Sequence, residues 1–331
     1  MKFIKEKYTK LSVLEKQKYI KIIKDKFEKE LAKALDLVRI SAPLLVTRES
    51  GLQDDLSGVE RKVAFDVLKD GHELEIVQSL AKWKRFALKK YEFKPHKGLY
   101  KDMTAIRRDD TMDETHSIYV DQWDWEKVIL KEDRTIKYLQ KTVKAIVGAI
   151  IKTSDYLKSK GFDSTQLCKD VYFITSQQLL ELHPKLSAKE REYEITKKYK
   201  TVFIMQIGDK LSDGQPHDLR APDYDDWTLD GDLLFYHEVL DMALEISSMG
   251  IRVDKQTLLS QLEKSGKQER LQYDFHKSIV EESLPLSIGG GIGQSRLCQL
   301  LLCRAHIGEV QASYWDKDTI KKCEKSGIEL L

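Results

Sequence analysis

Cysteine is scarce in this chain of 331 residues: Cys168, Cys298, Cys303 and Cys323 stand apart, none in a C-x-x-C pair. With no histidine at zinc-ligand spacing either, a structural zinc is not expected. Scattered thiols suit a reducing compartment, so we expect a cytoplasmic protein. No apolar run approaches the ~20 residues that a helix needs to cross a bilayer, and no membrane partner is expected. The opening MKFIKEKYTKL lacks the apolar core of a signal peptide, and Glu6 and Glu15 argue against an organelle presequence. Neither sign of charge is in excess, with 56 basic against 54 acidic residues and a formal charge of +2. A nucleic-acid partner, which favours a basic surplus, is therefore not expected. Proline- or glycine-rich linkers, internal repeats and low-complexity tracts are all missing, which leaves a single domain over residues 1–331. What is present, 41% hydrophobic and 33% charged residues, is the composition of a globular protein with a substantial core.

Ser12-Val13-Leu14-Glu15 has the form of a capping box, and behind it Ile20, Ile23, Phe27, Leu31, Leu35 and Val38 recur at three- and four-residue steps. This predicts an amphipathic helix ending near Leu37. Arg39–Thr47 reads as a strand interrupted by Pro43, which suits an edge or interface because proline cannot donate to a ladder. Further strands are expected over 61–68, 74–77, 98–106, 118–126, 171–175, 201–207, 233–235 and 242–247. Helices are expected over 136–160, closed by Gly161, after the Ser187-x-x-Glu190 cap, and over 257–264 and 268–282. Strands that follow one another directly favour an α+β fold, an antiparallel sheet flanked by helices, over a doubly wound parallel one.

The stretch IYVDQWDWE (118–126) puts Val120, Gln122, Asp124 and Glu126 on one strand face, and Tyr119, Asp121, Trp123 and Trp125 on the other. An amide and two carboxylates thus line up on a strand backed by tryptophans, either as the wet side of a half-buried strand or as the wall of a site. GGGIGQSRLCQLLL (289–302) fits neither G-x-G-x-x-G nor a P-loop. It reads as a glycine-bared strand, open to a flat group, running into a helix whose Arg296 can reach a phosphate or stack on a base. Arg107 and Arg108 end YKDMTAIRRDD, and Arg252 follows the small residues Ser247, Ser248 and Gly250. The strand carboxylates Asp232 and Glu245 either hold Mg²⁺ between phosphates or form structural ion pairs.

Together these segments resemble the three signatures of class II aminoacyl-tRNA synthetase catalytic domains, with Pro43, Arg107 and Arg296 in the signature places. Gln78-Ser79-Leu80-Ala81-Lys82-Trp83-Lys84 and Gln122-Trp123-Asp124 resemble the amino-acid pocket of the aspartyl enzymes of that class. LQDDLSG (52–58), QSLAKWKR (78–85), SIYVDQWDWE (117–126), KLSDGQPHDLRAPDYDDW (210–227), LEISSMGIRV (244–253) and GGGIGQSRL (289–297) carry a closer resemblance. They are similar, essentially end to end, to ammonia-dependent asparagine synthetase, the aspartate–ammonia ligase family. Gln78 stands where some members carry His, and Lys62 and Arg108 stand where Pro is expected.

That resemblance implies amidation of L-aspartate by free ammonia through a β-aspartyl-adenylate, with ATP and Mg²⁺ as cofactors and AMP and pyrophosphate as products. It implies that Arg107 binds the α-phosphate and the attacking carboxylate, and that Arg296 stacks on adenine and reaches the outer phosphates. Asp109 meets the adenine amino group, Arg220 and Gly291 belong to the nucleotide site, and Asp232 and Glu245 carry the metal. Gln78, Ser79, Gln122, Asp124 and Ser248 form the aspartate pocket, with Asp124 taking the α-ammonium and Lys84 and Arg252 the carboxylates. Asp54 handles the ammonium proton from a glycine-flanked loop, with Asp55 as its rival. Residue 2 is lysine, not the cysteine of a glutaminase, so free ammonia is the expected nitrogen donor. The helix of residues 1–38 and Pro43 imply a homodimer, with 39–331 as the catalytic core. The competing readings are an aspartyl- or asparaginyl-tRNA synthetase, which needs an anticodon-binding domain ahead of Pro43, and a non-catalytic aspartate- or ATP-binding paralogue.

Overall fold

The structure, a computed structural model, describes residues 2–54, 56, 60–162 and 167–331. Asp55 and Gly58 of the LQDDLSG loop lie outside the described residues. The chain opens with α1 (Val13–Leu35), β1 (Leu37–Arg39), β2 (Leu45–Thr47), β3 (Ala64–Asp66), β4 (Glu73–Ile76) and α2 (Ala81–Lys90). It continues with β5 (Gly98–Ile106), β6 (Tyr119–Val128), α3 (Ile136–Ser159), β7 (Tyr172–Thr175), α4 (Ser176–Leu182), α5 (Ala188–Tyr199) and β8 (Thr201–Met205). The last third holds β9 (Asp225–His237), β10 (Met242–Arg252), α6 (Lys255–Ser265), α7 (Asp274–Val280), β11 (Ser287–Gly293), α8 (Gln294–Leu301) and α9 (Lys317–Lys325).

Eight strands form one sheet in the order β1-β5-β6-β11-β10-β9-β8-β7, antiparallel except for the parallel outer pairs β1/β5 and β7/β8. A second sheet, β2-β4-β3, is antiparallel throughout. The α+β class follows from this arrangement.

Local chemistry explains most boundaries. The Ser12–Glu15 capping box starts α1: the Glu15 N–H donates to Ser12 Oγ at 3.3 Å and the Ser12 N–H donates to Glu15 Oε2 at 2.9 Å. The same box, Ser187 with Glu190, starts α5. Pro43 does not interrupt one strand but separates two, since β1 joins the large sheet and β2 the small one. The helix expected over 268–282 breaks at Tyr273, whose extended backbone separates a 3₁₀ turn from α7. That break lets Arg270 and His276 converge on one carboxylate, Asp223. Strands β9 and β10 run well beyond 233–235 and 242–247. β9 carries Asp225, Asp226, Asp230 and Asp232, all buried, against the poor strand propensity of aspartate.

Helices α1 and α3 cover one face of the large sheet. Trp123 and Trp125 are fully buried there, and Trp123 packs on Phe27 of α1 with ring centroids 4.6 Å apart. The opposite face of β6, carrying Gln122 and Asp124, opens to a cavity. One strand thus buries its aromatic residues and presents its polar ones, as its two-residue period requires.

Candidate active site

The floor of the cavity is built by β6, β11 and β10, whose residues Asp124, Gly291 and Ser248 are cross-strand neighbours in one row. The glycines of β11 make this floor possible. A Cβ on Gly289 would lie 2.0 Å from Glu126 Oε2, and one on Gly291 2.3 Å from Gln122 Oε1. The bare backbone at these two positions is therefore covered by side chains of the neighbouring strand. A β-bulge between Glu245 and Ser247 matters as much. Three residues apart on a regular strand, Glu245 and Ser248 would face opposite sides; the extra residue turns both into the cavity.

The cavity measures about 500 Å³. Of the residues expected in an amino-acid pocket, Asp54, Ser79, Lys84, Gln122, Asp124, Ser248 and Arg252 line it. Of those expected around a nucleotide and metal, Arg107, Arg220, Glu245, Gly291 and Arg296 do. Gln78, Asp109 and Asp232 are not in the wall. Gln78 is fully buried and donates to the Asp54 carbonyl at 3.2 Å. Asp109 is turned to Arg61, which donates to it from Nη2 at 2.5 Å and holds its carboxyl down at about 2. The neighbouring Asp110 lines the cavity instead. Asp232 is buried behind Arg220, to which it is ion-paired.

At the Lys84 end every charge is interlocked. Lys84, fully buried, pairs with Asp124, reaches Glu126 Oε2 at 3.6 Å and donates to the Trp125 carbonyl at 2.9 Å. Arg252 is 2% exposed and donates to Glu126 from Nε at 3.0 Å and from Nη2 at 2.7 Å, while its Nη1 pairs with Asp225. Glu126 also accepts the Ser287 hydroxyl at 2.7 Å. Burial opposes the Glu126 charge, yet Arg252 and Lys84 hold its carboxyl below the ordinary range. A guanidinium has five N–H donors, so three contacts leave one N–H on each terminal nitrogen of Arg252 for a further acceptor.

The other end is different. Along β10, Glu245 lies seven residues from Arg252, roughly 20 Å of strand. Arg296 donates to the Glu245 carbonyl at 3.1 Å and stands 3.6 Å from its carboxylate. Arg107 makes no ion pair among the described residues, and its Nε is buried without a partner. A cation left unsatisfied in a cavity wall is a ready anion site. Asp232 Oδ1 is likewise buried without a partner. Burial pushes the Asp232 carboxyl up to about 6, with Arg220 pulling it down and Glu245 and Asp218 pushing it up. Among the described residues no three acidic, histidine or cysteine side chains gather as a metal site. An orphaned carboxylate oxygen beside a second carboxylate nevertheless suits a hard cation that takes its remaining oxygens from phosphates.

Asp225, Tyr224, Asp110 and His116 also line the cavity and were not singled out by the sequence. The run DYDDW announced acids near the site but not which of them would face inward.

The family description "aspartate–ammonia ligase" matches residues 14–327. The chain belongs to that family. An aspartate–ammonia ligase of Bacillus cytotoxicus is 56% identical over 97% of this chain and 98% of its own length, and one of Bacillus cereus is 54% identical over the same shares. Among solved structures, the asparaginyl-tRNA synthetase of Pyrococcus horikoshii complexed with asparaginyl-adenylate superposes with a TM-score of 0.64 at 15% identity. That match covers 89% of this ligase-family chain and 68% of the synthetase. An aspartyl-tRNA synthetase of Entamoeba histolytica gives 0.60 at 16% identity, over 94% and 63%. These two likenesses concern the fold, the class II synthetase catalytic domain.

Proposed function

We propose that the chain joins L-aspartate to free ammonia in two steps, first forming a β-aspartyl-adenylate from ATP and then releasing asparagine and AMP. The observation that carries this reading is one cavity with two differently built ends. Interlocked Lys84, Arg252 and their carboxylates lie at one end, and Arg107, without an ion pair among the described residues, lies with Arg220 and Arg296 at the other. Activation must gather a carboxylate and a triphosphate in spite of their like charges, and fixed guanidinium groups suit that task.

In this reading the free N–H groups of Arg252 and an N–H of Lys84 take the carboxylate of aspartate that does not react. Asp124, with Gln122 and Ser79 beside it, takes the α-ammonium. Arg107 draws the reacting carboxylate to the α-phosphate, whose P–O bond to pyrophosphate breaks as the new P–O bond forms. Arg296 and Arg220 hold the nucleotide. Glu245 in the wall and Asp232 behind Arg220 would hold Mg²⁺, which would supply positive charge to neutralise the phosphates. Asp54 then accepts a proton from ammonium, the ammonia lone pair attacks the acyl carbon, AMP departs with the C–O bonding pair, and the attached nitrogen gives its surplus proton to the departing AMP phosphate to leave the neutral amide. The exposed Val38 and Leu44 on either side of Pro43 support a homodimer through that segment. Among the described residues no helix is long and apolar enough to cross a membrane; the free thiols fit the cytoplasm.

Purified protein supplied with aspartate, MgATP and ammonium is expected to yield asparagine and AMP. ADP as product, or aspartyl-tRNA formed when tRNA replaces ammonium, would overturn the proposal.

A further inference from the structure

Beside the cavity lies a buried charge cluster that the roles above leave unused. Asp223, fully buried on the loop before β9, collects three contacts on a single oxygen. Lys82 Nζ stands 2.9 Å from Oδ2, Arg270 Nη1 2.7 Å and His276 Nε2 2.9 Å. These partners come from α2, from the 3₁₀ turn ahead of α7, and from α7 itself. Lys82 is 2% exposed and donates also to the carbonyl of Gln53 at 3.1 Å, the residue before Asp54. Two residues apart on a helix do not share a face. So α2 sends Lys84 to the carboxylates of β6 and Lys82 to the Asp54 loop.

Asp54 is 2% exposed, accepts the Ser79 hydroxyl and takes the Leu56 N–H at 2.9 Å. Burial drives its carboxyl toward the neutral form. The charge of Lys82 opposes that drive first, then the bonds from Ser79 and Leu56, while Asp223 reinforces it. Tyr224, the remaining titratable neighbour, is itself raised by burial and by Asp54. Among these groups Lys82 alone brings a positive charge. A neutral Asp54 could neither attract an ammonium ion nor take its proton.

We propose that Lys82, anchored by Asp223, is a positioning residue that ties the Asp54 loop to α2 and keeps the Asp54 carboxylate charged for an incoming ammonium ion. This rests on Asp54 being the group that receives the ammonium proton. Two readouts separate the steps: aspartate-dependent exchange of pyrophosphate into ATP, and kcat/KM for ammonium across pH. Lys82→Gln is expected to leave exchange within about twofold and to lower kcat/KM for ammonium about tenfold at neutral pH. That deficit closes as pH rises and Asp54 ionises, and Lys82→Arg restores most of the loss. Asp223→Asn, which removes an anion but keeps Lys82, moves the acid limb the opposite way, to lower pH.

Equal losses of exchange and amidation at every pH would make Lys82 merely structural and overturn the inference. If Asp54→Asn leaves amidation intact, the role of Asp54 fails and the inference with it. If Asp54→Asn abolishes amidation while Lys82→Gln leaves the limb unmoved, the inference alone fails. Should Lys82→Gln not fold, Asp223→Asn decides, since an unmoved or raised limb overturns it.

Discussion

Adding one methyl group at Gly289 tests the geometry of the floor. On propensity alone, a strand glycine changed to alanine gains roughly 0.5–1 kcal/mol. Here the new Cβ would sit 2.0 Å from Glu126 Oε2 and 2.6 Å from Arg252 Nη2. Glu126 is fully buried and held by Arg252, Ser287 and Lys84, so it cannot swing into solvent. Overpacking of this kind costs about 1–3 kcal/mol, which exceeds the propensity gain. The carboxylate must retreat by about 1 Å and carry the Arg252 fork with it, a misplacement worth roughly 10²-fold in rate. The Gly289→Ala variant is therefore expected to melt a few degrees lower and to lose about two orders of magnitude in kcat/KM for aspartate. KM for ATP, set mainly by Arg107, Arg220 and Arg296 at the other end of the cavity, should stay within about twofold. Pyrophosphate exchange measured against each substrate, with a thermal melt, checks both parts. Wild-type aspartate kinetics with equal or higher stability would refute the claim that Gly289 is bare to seat Glu126.

Asp54→Asn should leave pyrophosphate exchange largely intact and reduce asparagine formation about 10²-fold, as loss of a general base does; loss of exchange would assign Asp54 to activation. Arg107→Ala should abolish exchange while leaving the melting temperature within a few degrees, because the guanidinium has no ion pair among the described residues to lose. Glu126, with its carboxyl depressed in the folded state, stabilises the protein fully above its unfolded pKa of about 4.3, and that stability disappears as pH falls through the folded value. Glu126→Gln should accordingly cost about 3 kcal/mol in urea unfolding at neutral pH and progressively less below about pH 4; a cost that grows on acidification would contradict the assignment. Sedimentation should give twice the chain mass of 38.4 kDa, and a mass of one chain would exclude the dimer.

Residues whose role depends on periodicity were legible in the sequence. The tryptophan and carboxylate faces of β6 follow from its two-residue alternation, and α1 and α5 announce themselves through their caps. The α+β class and the family likeness could also be read from the chain. Three kinds of feature could not. The helix α2 follows Leu80 without a side-chain cap, so no helix was expected over 81–90 although it carries both buried lysines. The bulge at Glu245 and Ser247 shifts the two-residue period by one, and no residue type marks it. The partners of the acids in DYDDW come from elements far along the chain in both directions, with Arg134 taking Asp226 and Lys82 among the partners of Asp223. Arg252 takes Asp225, and Arg270 and His276 take Asp223, choices that long-range packing makes. Asp109 and Asp110 show the same limit: adjacent and identical in type, one is held by Arg61 and the other faces the cavity.

The two ends of the cavity differ in what they leave unsatisfied, and this suits the order of events. At the β6 end, two cations, Lys84 and Arg252, meet three carboxylates, Asp124, Glu126 and Asp225. The surplus is one negative charge, which an α-ammonium would complete, and the spare guanidinium N–H groups await a carboxylate. At the β10 bulge, Arg220 is paired with Asp218 and Asp232 and Arg296 stands beside Glu245, whereas Arg107 has no ion pair among the described residues and lines the cavity. Buried charge without a counterion is costly, so the negative surplus at the first end and the Arg107 guanidinium at the second are each stabilised by a ligand of opposite charge. An amino acid with both a carboxylate and an ammonium matches the first end, and a polyphosphate the second. The carboxylates of the second end are already taken by Arg220 and Arg296, and ammonium competes poorly at the first end once aspartate fills it. Asp54, standing apart on its own loop with Lys82 behind it, is then the anion still available to the third substrate.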